Sequence, residues 1–210
     1  MDYKAIGKNE ERWDAISKVQ GKANYTADLP KRKMYYGKIF RSTIAHGLVK
    51  NLDISEALKV SGVIKILTPD DVSKESFPTA GHPYSLNPKT ADIADRNILT
   101  KRIRLYGDEI AAVIAETELA AEIAMSKIKV EYEEYPFYLT PEESLAEGAV
   151  ELHENTKNLI ASTVATVGDI QEGFEKADHI FEGEYKTQIV QHCHMENQIA
   201  YAYKDSDQRW

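Results

Sequence analysis

Residues 109–132 read EIAAVIAETELAAEIAMSKIKVEY, and this stretch decides the fold. The run from Glu109 to Ala115 has the apolar continuity of a central β-strand. Thr117 is then placed to cap a helix. The apolar side of that helix is predicted to consist of Leu119, Ala120, Ile123, Ala124 and Ile128. Residues 129–132 return to a strand pattern, so the stretch predicts a strand, a helix and a second strand in immediate succession.

A second unit of the same kind precedes it in the sequence. Aromatic and β-branched residues from Met34 to Phe40 predict a strand, and Gly37 is the position where a bulge would fall. Leu48 to Ile54 alternates and predicts the next strand. Ser55 is placed to cap a short helix, and residues 63–67 are an apolar run short enough for a buried strand.

Two Thr-Pro-acid-acid segments predict short capped helical turns, Thr68-Pro69-Asp70-Asp71 and Thr140-Pro141-Glu142-Glu143. Each has threonine at the cap, proline at the first helical position and a carboxylate three residues past the cap. Between them, Phe77 to Asn97 is rich in proline and small polar residues and predicts a long loop. Long loops in compact domains are often functional.

The last third of the sequence changes character. Residues 136–160 mix proline, acidic residues and one short helix, which predicts a connector to a second domain. Asp169 is placed to cap a helix with Glu172 at its third position. The apolar stripe of that helix would be Ile170, Phe174 and Ala177. Residues 180–187 alternate as a half-exposed strand, and further strands are expected toward the end of the sequence.

Composition limits the classes of function. The 210 residues include 34 acidic and 26 basic side chains, a formal net charge of −8, which argues against nucleic acid and anionic membranes as partners. No uncharged apolar run approaches the length that spans a bilayer. Cys193 is the single cysteine, so an intrachain disulfide is excluded and a free thiol fits a reducing compartment. A cytoplasmic location is therefore predicted.

Residues 188–203, QIVQHCHMENQIAYAY, hold the densest group of candidate site residues. On an extended strand His192, His194 and Glu196 would share one face, and Cys193 would lie on the other. Two imidazoles and a carboxylate on one face could bind zinc or another divalent ion. They could also be half-buried polar groups at a domain junction, or belong to a strand beside a cofactor that the chain only partly encloses.

The remaining candidates have simpler interpretations. His82, in the long loop, could gate a ligand cleft, although a solvated loop histidine explains it as well. His46 fits a turn before a strand, while His153 and His179 follow no pattern. The Asp108-Glu109 pair fits a turn, because catalytic carboxylates need surroundings that separate their pKa values.

Motifs for dinucleotides, nucleoside triphosphates, serine hydrolysis and iron–sulfur clusters are absent from the sequence. Four collinear segments nevertheless resemble the large subunit of the molybdenum hydroxylases. They are DAISKVQGKANYTADL (14–29), YGKIFRSTIAHGLVKNLDISEALKVSGVIKILTPDDV (36–72), RLYGDEIAAVIAETELAAEIAMSKIKVEYEEYP (104–136) and GDIQEGFEKADHIFEGEYKTQIVQHCHMEN (168–197). Within that family, TAGHPYSL and QHCHME are most similar to the molybdenum-binding subunits of bacterial xanthine dehydrogenases.

The resemblance implies an α+β fold. An α/β hammerhead domain would occupy residues 1–135, a connector 136–160, and the truncated beginning of a molybdopterin-binding domain 161–210. In that family a molybdopterin-type molybdenum cofactor hydroxylates a purine or aldehyde carbon with oxygen from water. Iron–sulfur clusters and FAD, on partner subunits or domains, carry the electrons onward. For His192, His194 and Glu196 the resemblance implies only proximity to the cofactor, with no catalytic or metal-ligand role.

The catalytic residues of the family are expected beyond Trp210, so the isolated chain is expected to be inactive and to hold no cofactor. Its expected partners are the remainder of the molybdenum subunit and the FAD-binding and iron–sulfur subunits. An exposed strand edge near the C-terminus could also pair with a second copy as a homodimer. Two other classes stay open: a metal-binding module that uses the His-Glu face, and a non-catalytic assembly domain that docks other subunits.

Overall fold

The computed structural model describes residues 4–29, 33–78, 94–159, 162 and 164–209. The backbone divides into two compact units, Lys33–Gly173 and the pair of segments Met1–Arg32 and Phe174–Trp210. Most of the predicted loop from 77 to 97, including His82, lies outside the described residues, so the structure does not test its role. At the start of that loop Phe77 forms an antiparallel bridge with Arg96.

The described part of the chain contains six strands, all in the Lys33–Gly173 unit. They are β1 (Tyr36–Arg41), β2 (Gly47–Asp53), β3 (Val63–Leu67), β4 (Arg102–Ile103), β5 (Glu109–Ala115) and β6 (Lys129–Glu134). In one antiparallel sheet β5 lies between β1 and β3, and in the other β2 lies between β4 and β6. Strands that follow one another along the chain therefore alternate between the two sheets. Five of these six described strands were predicted, and β4 was not.

Helices are short in the described residues, and three of the four begin at the predicted caps Thr117, Thr140 and Asp169. They are α1 (Ala15–Val19), α2 (Glu118–Met125), α3 (Pro141–Leu145) and α4 (Ile170–Lys176), with 3₁₀ turns at Thr26–Asp28 and Ala57–Lys59. At α2 the Thr117 hydroxyl oxygen accepts from the Ala120 backbone N–H at 3.1 Å. At α3 Thr140 and Glu143 form the predicted capping box, and the hydrogen bonds lower the pKa of the Glu143 carboxyl.

The core has two parts that share β5. Small side chains on one face of β5, Ala111, Val113 and Ala115, are buried in the same cluster as Ala120, Ala121 and Ala124 of α2. From the same strand Ile110 enters a second cluster with Val49 of β2 and Ile103 of β4. Because side chains alternate along a strand, β5 supplies both clusters and joins the helix layer to the other sheet.

Three local predictions are wrong. The buried face of α2 is made by alanines, whereas Leu119 and Ile123 are 65% and 43% exposed. Ser55 does not cap the turn at Ala57–Lys59; instead its backbone N–H donates to the Asp53 carboxylate at 2.9 Å. The β1 register shifts at Phe40/Arg41 and not at Gly37. For α2 and β1, packing against neighbouring elements overrides the local propensity. At Ser55 a local hydrogen bond to Asp53 takes the place of the predicted cap.

The predicted strands after residue 178 are also wrong. In the described residues of this segment the backbone enters no β-ladder, although α4 begins where Asp169 predicted and the Glu172 N–H donates to Asp169 Oδ1 at 3.0 Å. Ile170 and Phe174 of α4 are exposed. A strand needs a neighbouring strand for its N–H and C=O groups, so an alternating pattern alone does not create one. The strand edge on which the homodimer hypothesis rested is therefore missing from the described residues.

Among the residues that the structure describes, no helix combines the length and the apolar character required to cross a bilayer.

Candidate functional site

The predicted His-Glu face is only partly formed. The imidazole rings of His192 and His194 lie on the same side of the chain, with centroids 5.7 Å apart and ring planes 15° from parallel. The segment has no regular structure there, and residues 188–200 are exposed. Within the described ranges no group of three or more His, Cys, Asp or Glu side chains could hold a metal ion. Glu196 does not complete a site with the two histidines.

This stretch also does not fit a molybdopterin group as it stands. An enclosed cofactor needs walls that remove most of its surface from water, with a few convergent polar groups. Residues 188–200, with Cys193 among them, provide no such wall because all of them face solvent. We therefore derive no reaction step through a cofactor from these side chains.

A polar pocket lies instead within the Lys33–Gly173 unit, where β4, the turn before β5 and residues 151–153 meet. Its volume is about 190 Å³. The charged side chains that line it include Arg96, Arg102, Arg104, Asp108 and His153. A high density of charge in a small half-open cavity is suited to a polar ligand and unsuited to an apolar one.

His46 is the most buried polar side chain beside this pocket, with 1% of its surface exposed. Its Nδ1 lies 2.6 Å from the Pro136 carbonyl oxygen, which can only accept, so Nδ1 carries the proton. Its Nε2 then accepts from Arg102 Nη2 at 3.3 Å. Tyr135 meets the imidazole edge-on, and the Arg102 guanidinium lies 5.0 Å from the centre of the Tyr135 ring.

Asp108 organises the turn that connects β4 to β5. The side chain is buried, and its Oδ2 accepts from the backbone N–H groups of Arg104 at 2.8 Å and Leu105 at 3.1 Å. Its Oδ1 faces the Arg96 guanidinium at 3.4 Å. These contacts satisfy a buried carboxylate, so the turn interpretation of Asp108 is confirmed.

Arginine side chains hold residues 151–153 against β4. Arg104 Nε donates to the Leu152 carbonyl oxygen at 2.8 Å, and Arg102 Nη2 lies 3.5 Å from the Glu151 carbonyl oxygen. Beside them His153 Nδ1 lies 3.2 Å from a carboxylate oxygen of Asp95.

The charge state of His153 follows from its surroundings. Burial lowers the pKa of the His153 imidazole, and this effect outweighs the Asp95 carboxylate, which raises the pKa. The Arg104 guanidinium lowers the pKa further. His153 is therefore neutral at neutral pH, and its contact with Asp95 is a hydrogen bond rather than an ion pair.

Acid is expected to destabilise the fold through His153. Because its folded pKa is lowered, the unfolded chain takes up the proton first as the pH falls below about 6.5. The contribution of the neutral His153 imidazole to stability is complete above that pH. It is lost as the pH falls toward the pKa of His153 in the folded chain. His153→Gln should flatten the dependence of the urea midpoint, followed by far-UV circular dichroism, between about pH 5 and pH 7.

The matched control for this change is His179→Gln, because His179 is exposed and has no part in the pocket. We expect its midpoint to follow that of the unmodified chain at every pH. If the urea midpoint of His153→Gln changed with pH as steeply as that of the unmodified chain, the lowered pKa assigned to His153 would be contradicted.

Sequence reasoning missed this pocket because its members have no common spacing. His46 fitted a turn and His153 followed no pattern, yet the fold places both beside arginines of β4 and its flanking turn. One signal was present: Arg102 and Arg104 flank the buried Ile103, and Asp108 follows four residues after Arg104. Only the pairing of β2 with β4 and β6 brings His46 to them.

Comparison with known proteins identifies relatives for nearly the whole chain. Residues 20–136 match the family model described as aldehyde oxidase and xanthine dehydrogenase, a/b hammerhead domain, and residues 152–210 match the molybdopterin cofactor-binding domain. The xanthine dehydrogenase molybdenum-binding subunit of Escherichia coli O157:H7 is 41% identical over 94% of this chain and 26% of its own length. The nicotinate dehydrogenase large molybdopterin subunit of Eubacterium barkeri is 31% identical over 98% of this chain and 46% of its length.

Solved structures agree with these sequence matches. The aldehyde oxidoreductase of Desulfovibrio gigas superposes with a TM-score of 0.69 at 32% identity, over 80% of this chain and 19% of that one. The chain thus spans about a quarter of the length of the first curated relatives. The predicted α+β fold is confirmed, and nothing in the comparisons supports a separate metal-binding or assembly module.

Proposed function

Since the chain belongs to the aldehyde oxidase and xanthine dehydrogenase hammerhead family, we propose that it forms part of a xanthine dehydrogenase-like molybdenum-binding subunit. The observation that carries the proposal is the 41% identity to the Escherichia coli O157:H7 subunit, which extends over 94% of this chain. The complete enzyme would hydroxylate a purine with oxygen from water. A molybdopterin-type molybdenum cofactor would supply that chemistry.

The part played by these residues is structural in this proposal. The β5 strand and α2 form a rigid base, and Arg102 and Arg104 hold residues 151–153, where the hammerhead match gives way to the cofactor-domain match. His192, His194 and Glu196 would lie near the cofactor without a catalytic or ligand role. Domain limits at 1–135, 136–160 and 161–210 remain part of the same proposal.

The similarity to these relatives also indicates which partner subunits to expect. The relatives include proteins named as molybdenum-binding or molybdopterin subunits. We propose that FAD-binding and iron–sulfur subunits, together with the remainder of the molybdenum subunit, are the partners in a cytoplasmic enzyme. Self-association of the chain would require a surface other than a C-terminal strand, because that segment contains no strand among the described residues.

The proposal is tested with a chimera. The aligned segment of the Escherichia coli O157:H7 subunit is replaced by this chain, and xanthine-dependent reduction of a dye acceptor is measured together with molybdenum content. We expect the chimera to assemble, to contain molybdenum and to retain activity, because an equivalent scaffold should support the same site. A matched control carries the equivalent segment of the Desulfovibrio gigas aldehyde oxidoreductase, at 32% identity, and should support less activity. A folded chimera that lacks molybdenum would contradict the proposal.

The 210 residues alone are expected to show no turnover. Purified chain supplied with molybdenum cofactor, hypoxanthine and a dye acceptor should match a blank without protein, because residues 188–200 are exposed and provide no wall for the cofactor. Reduction of the dye above that blank would contradict the scaffold role.

A further inference from the structure

Among the described residues, the guanidinium groups of Arg102 and Arg104 have no acidic partner. Their contacts are the carbonyl oxygens of residues 95, 151 and 152, the His46 imidazole and the Tyr135 ring. In the part of the chain that the structure describes, neither forms a salt bridge, and Arg104 Nη2 and Arg102 Nε and Nη1 meet no acceptor. Both arginines are half-buried and line the pocket, so donors without an acceptor in the described residues belong to its lining.

The carboxylates of the pocket are engaged elsewhere. Asp108 is satisfied by two backbone N–H groups and by Arg96. Glu109 is paired with Arg41 at 2.6 Å and with Arg96 at 3.6 Å. Their negative charges are therefore balanced by cations other than Arg102 and Arg104.

The positively and negatively charged side chains that line the pocket are equal in number, but they differ in how they are paired. Asp95 is the one pocket carboxylate beside His153, and it contacts the imidazole at 3.2 Å. Three arginines (Arg96, Arg102, Arg104) and three carboxylates (Asp95, Asp108, Glu109) line the pocket, and Arg41, which lies outside the lining, pairs with Glu109. An anion that enters the pocket would meet donors on the arginine side.

The size and chemistry of the cavity limit its ligand. A volume of about 190 Å³ is below the range of roughly 300–1,000 Å³ typical of drug-sized ligands. The planar guanidinium group of an arginine can donate two parallel hydrogen bonds to two oxygens of a tetrahedral or planar oxyanion. We propose that this pocket binds a phosphate group, with Arg102 and Arg104 as its ligands and His153 at its edge. This site is separate from the proposed cofactor role and does not depend on it.

The test follows the His153 imidazole resonance of the full chain by NMR as inorganic phosphate is added at low ionic strength, where screening is weak. The resonance is assigned with His153→Gln. We expect a saturable shift, and a dissociation constant about tenfold larger or more in Arg104→Gln, because a charge-assisted hydrogen bond is lost. Arg104→Lys keeps the positive charge but loses the paired guanidinium donors, so its affinity for phosphate should lie between those of the unmodified chain and Arg104→Gln.

The matched control is Lys50→Gln, which removes one positive charge from an exposed pair with Glu133 in the same unit. Its affinity for phosphate should equal that of the unmodified chain. Circular dichroism is compared first, and if Arg104→Gln does not fold, Arg104→Lys decides the question. A shift that does not saturate, or equal weakening in Lys50→Gln, would mean an adventitious ion only and would overturn the proposal.

Two sources of a phosphate group are distinguished by a second titration with a nucleoside monophosphate. Tighter binding than inorganic phosphate would assign the pocket to a phosphate ester, whereas equal or weaker binding would assign it to the free ion. Saturable binding of neither compound would refute the site.

Discussion

Replacing Gly47 with alanine is expected to destabilise the fold by about 3 kcal/mol or more. A Cβ atom at this position would lie 2.3 Å from the Glu133 carbonyl oxygen and 2.7 Å from Ile44 Cδ1. Gly47 is paired with Glu134 of β6 and with Ile103 of β4, so neither neighbour can move without breaking the sheet. Urea denaturation followed by far-UV circular dichroism measures the effect.

The matched control is Gly37→Ala in β1. A Cβ atom at Gly37 meets nothing within 4 Å, and the residue is paired regularly with Ile114. Alanine there should change stability by about 1 kcal/mol or less, in the stabilising direction, because it reduces the freedom of the unfolded chain. If the two variants unfold at the same urea concentration, the close approach of β6 does not prevent a side chain at position 47.

Replacing Ile110 with alanine is the second large change and should cost about 2–5 kcal/mol. Ile110 is fully buried, and it forms the second core cluster with Val49 and Ile103. Truncation would leave a cavity between strands of two sheets, and β-ladders on both sides limit its collapse. The free energy of unfolding in urea is the appropriate measurement.

Ile98→Ala is the matched control for this prediction, since Ile98 is 52% exposed. The same chemical change there should cost about 1 kcal/mol or less, because much of the side chain is already in water. An Ile110→Ala variant as stable as Ile98→Ala would show that the two sheets do not depend on this cluster.

Local patterns predicted helix starts whose hydrogen bonds are local, and one strand whose burial is evident from its composition. The Thr117 and Thr140 caps are confirmed, because an N-cap joins groups only three residues apart. β5 is confirmed from Glu109 to Ala115, because its apolar continuity reports burial on both faces. The strands predicted after residue 178 are wrong, since alternation cannot specify a pairing partner.

The same distinction between local and long-range contacts applies to the candidate sites. His192, His194 and Glu196 were found by spacing, yet the described structure brings only the two imidazoles together. His46 and His153 have no such spacing, but His153 lines the charged pocket and His46 contacts Arg102, which also lines it. Their neighbours Arg102 and Arg104 lie roughly 50 residues away from each of them in sequence, so no short motif could group them.

By itself the sequence determined the family, five of the six described strands of the hammerhead region and the starts of three helices. The family follows from collinear residue identity, and the helix starts depend on contacts within a few residues. The tertiary structure decided how successive strands alternate between two sheets, why Gly47 must lack a side chain, and where Arg102 and Arg104 converge. These features arise from antiparallel pairing of distant segments, and the free energy of such pairing depends on which backbone groups and side chains meet in space.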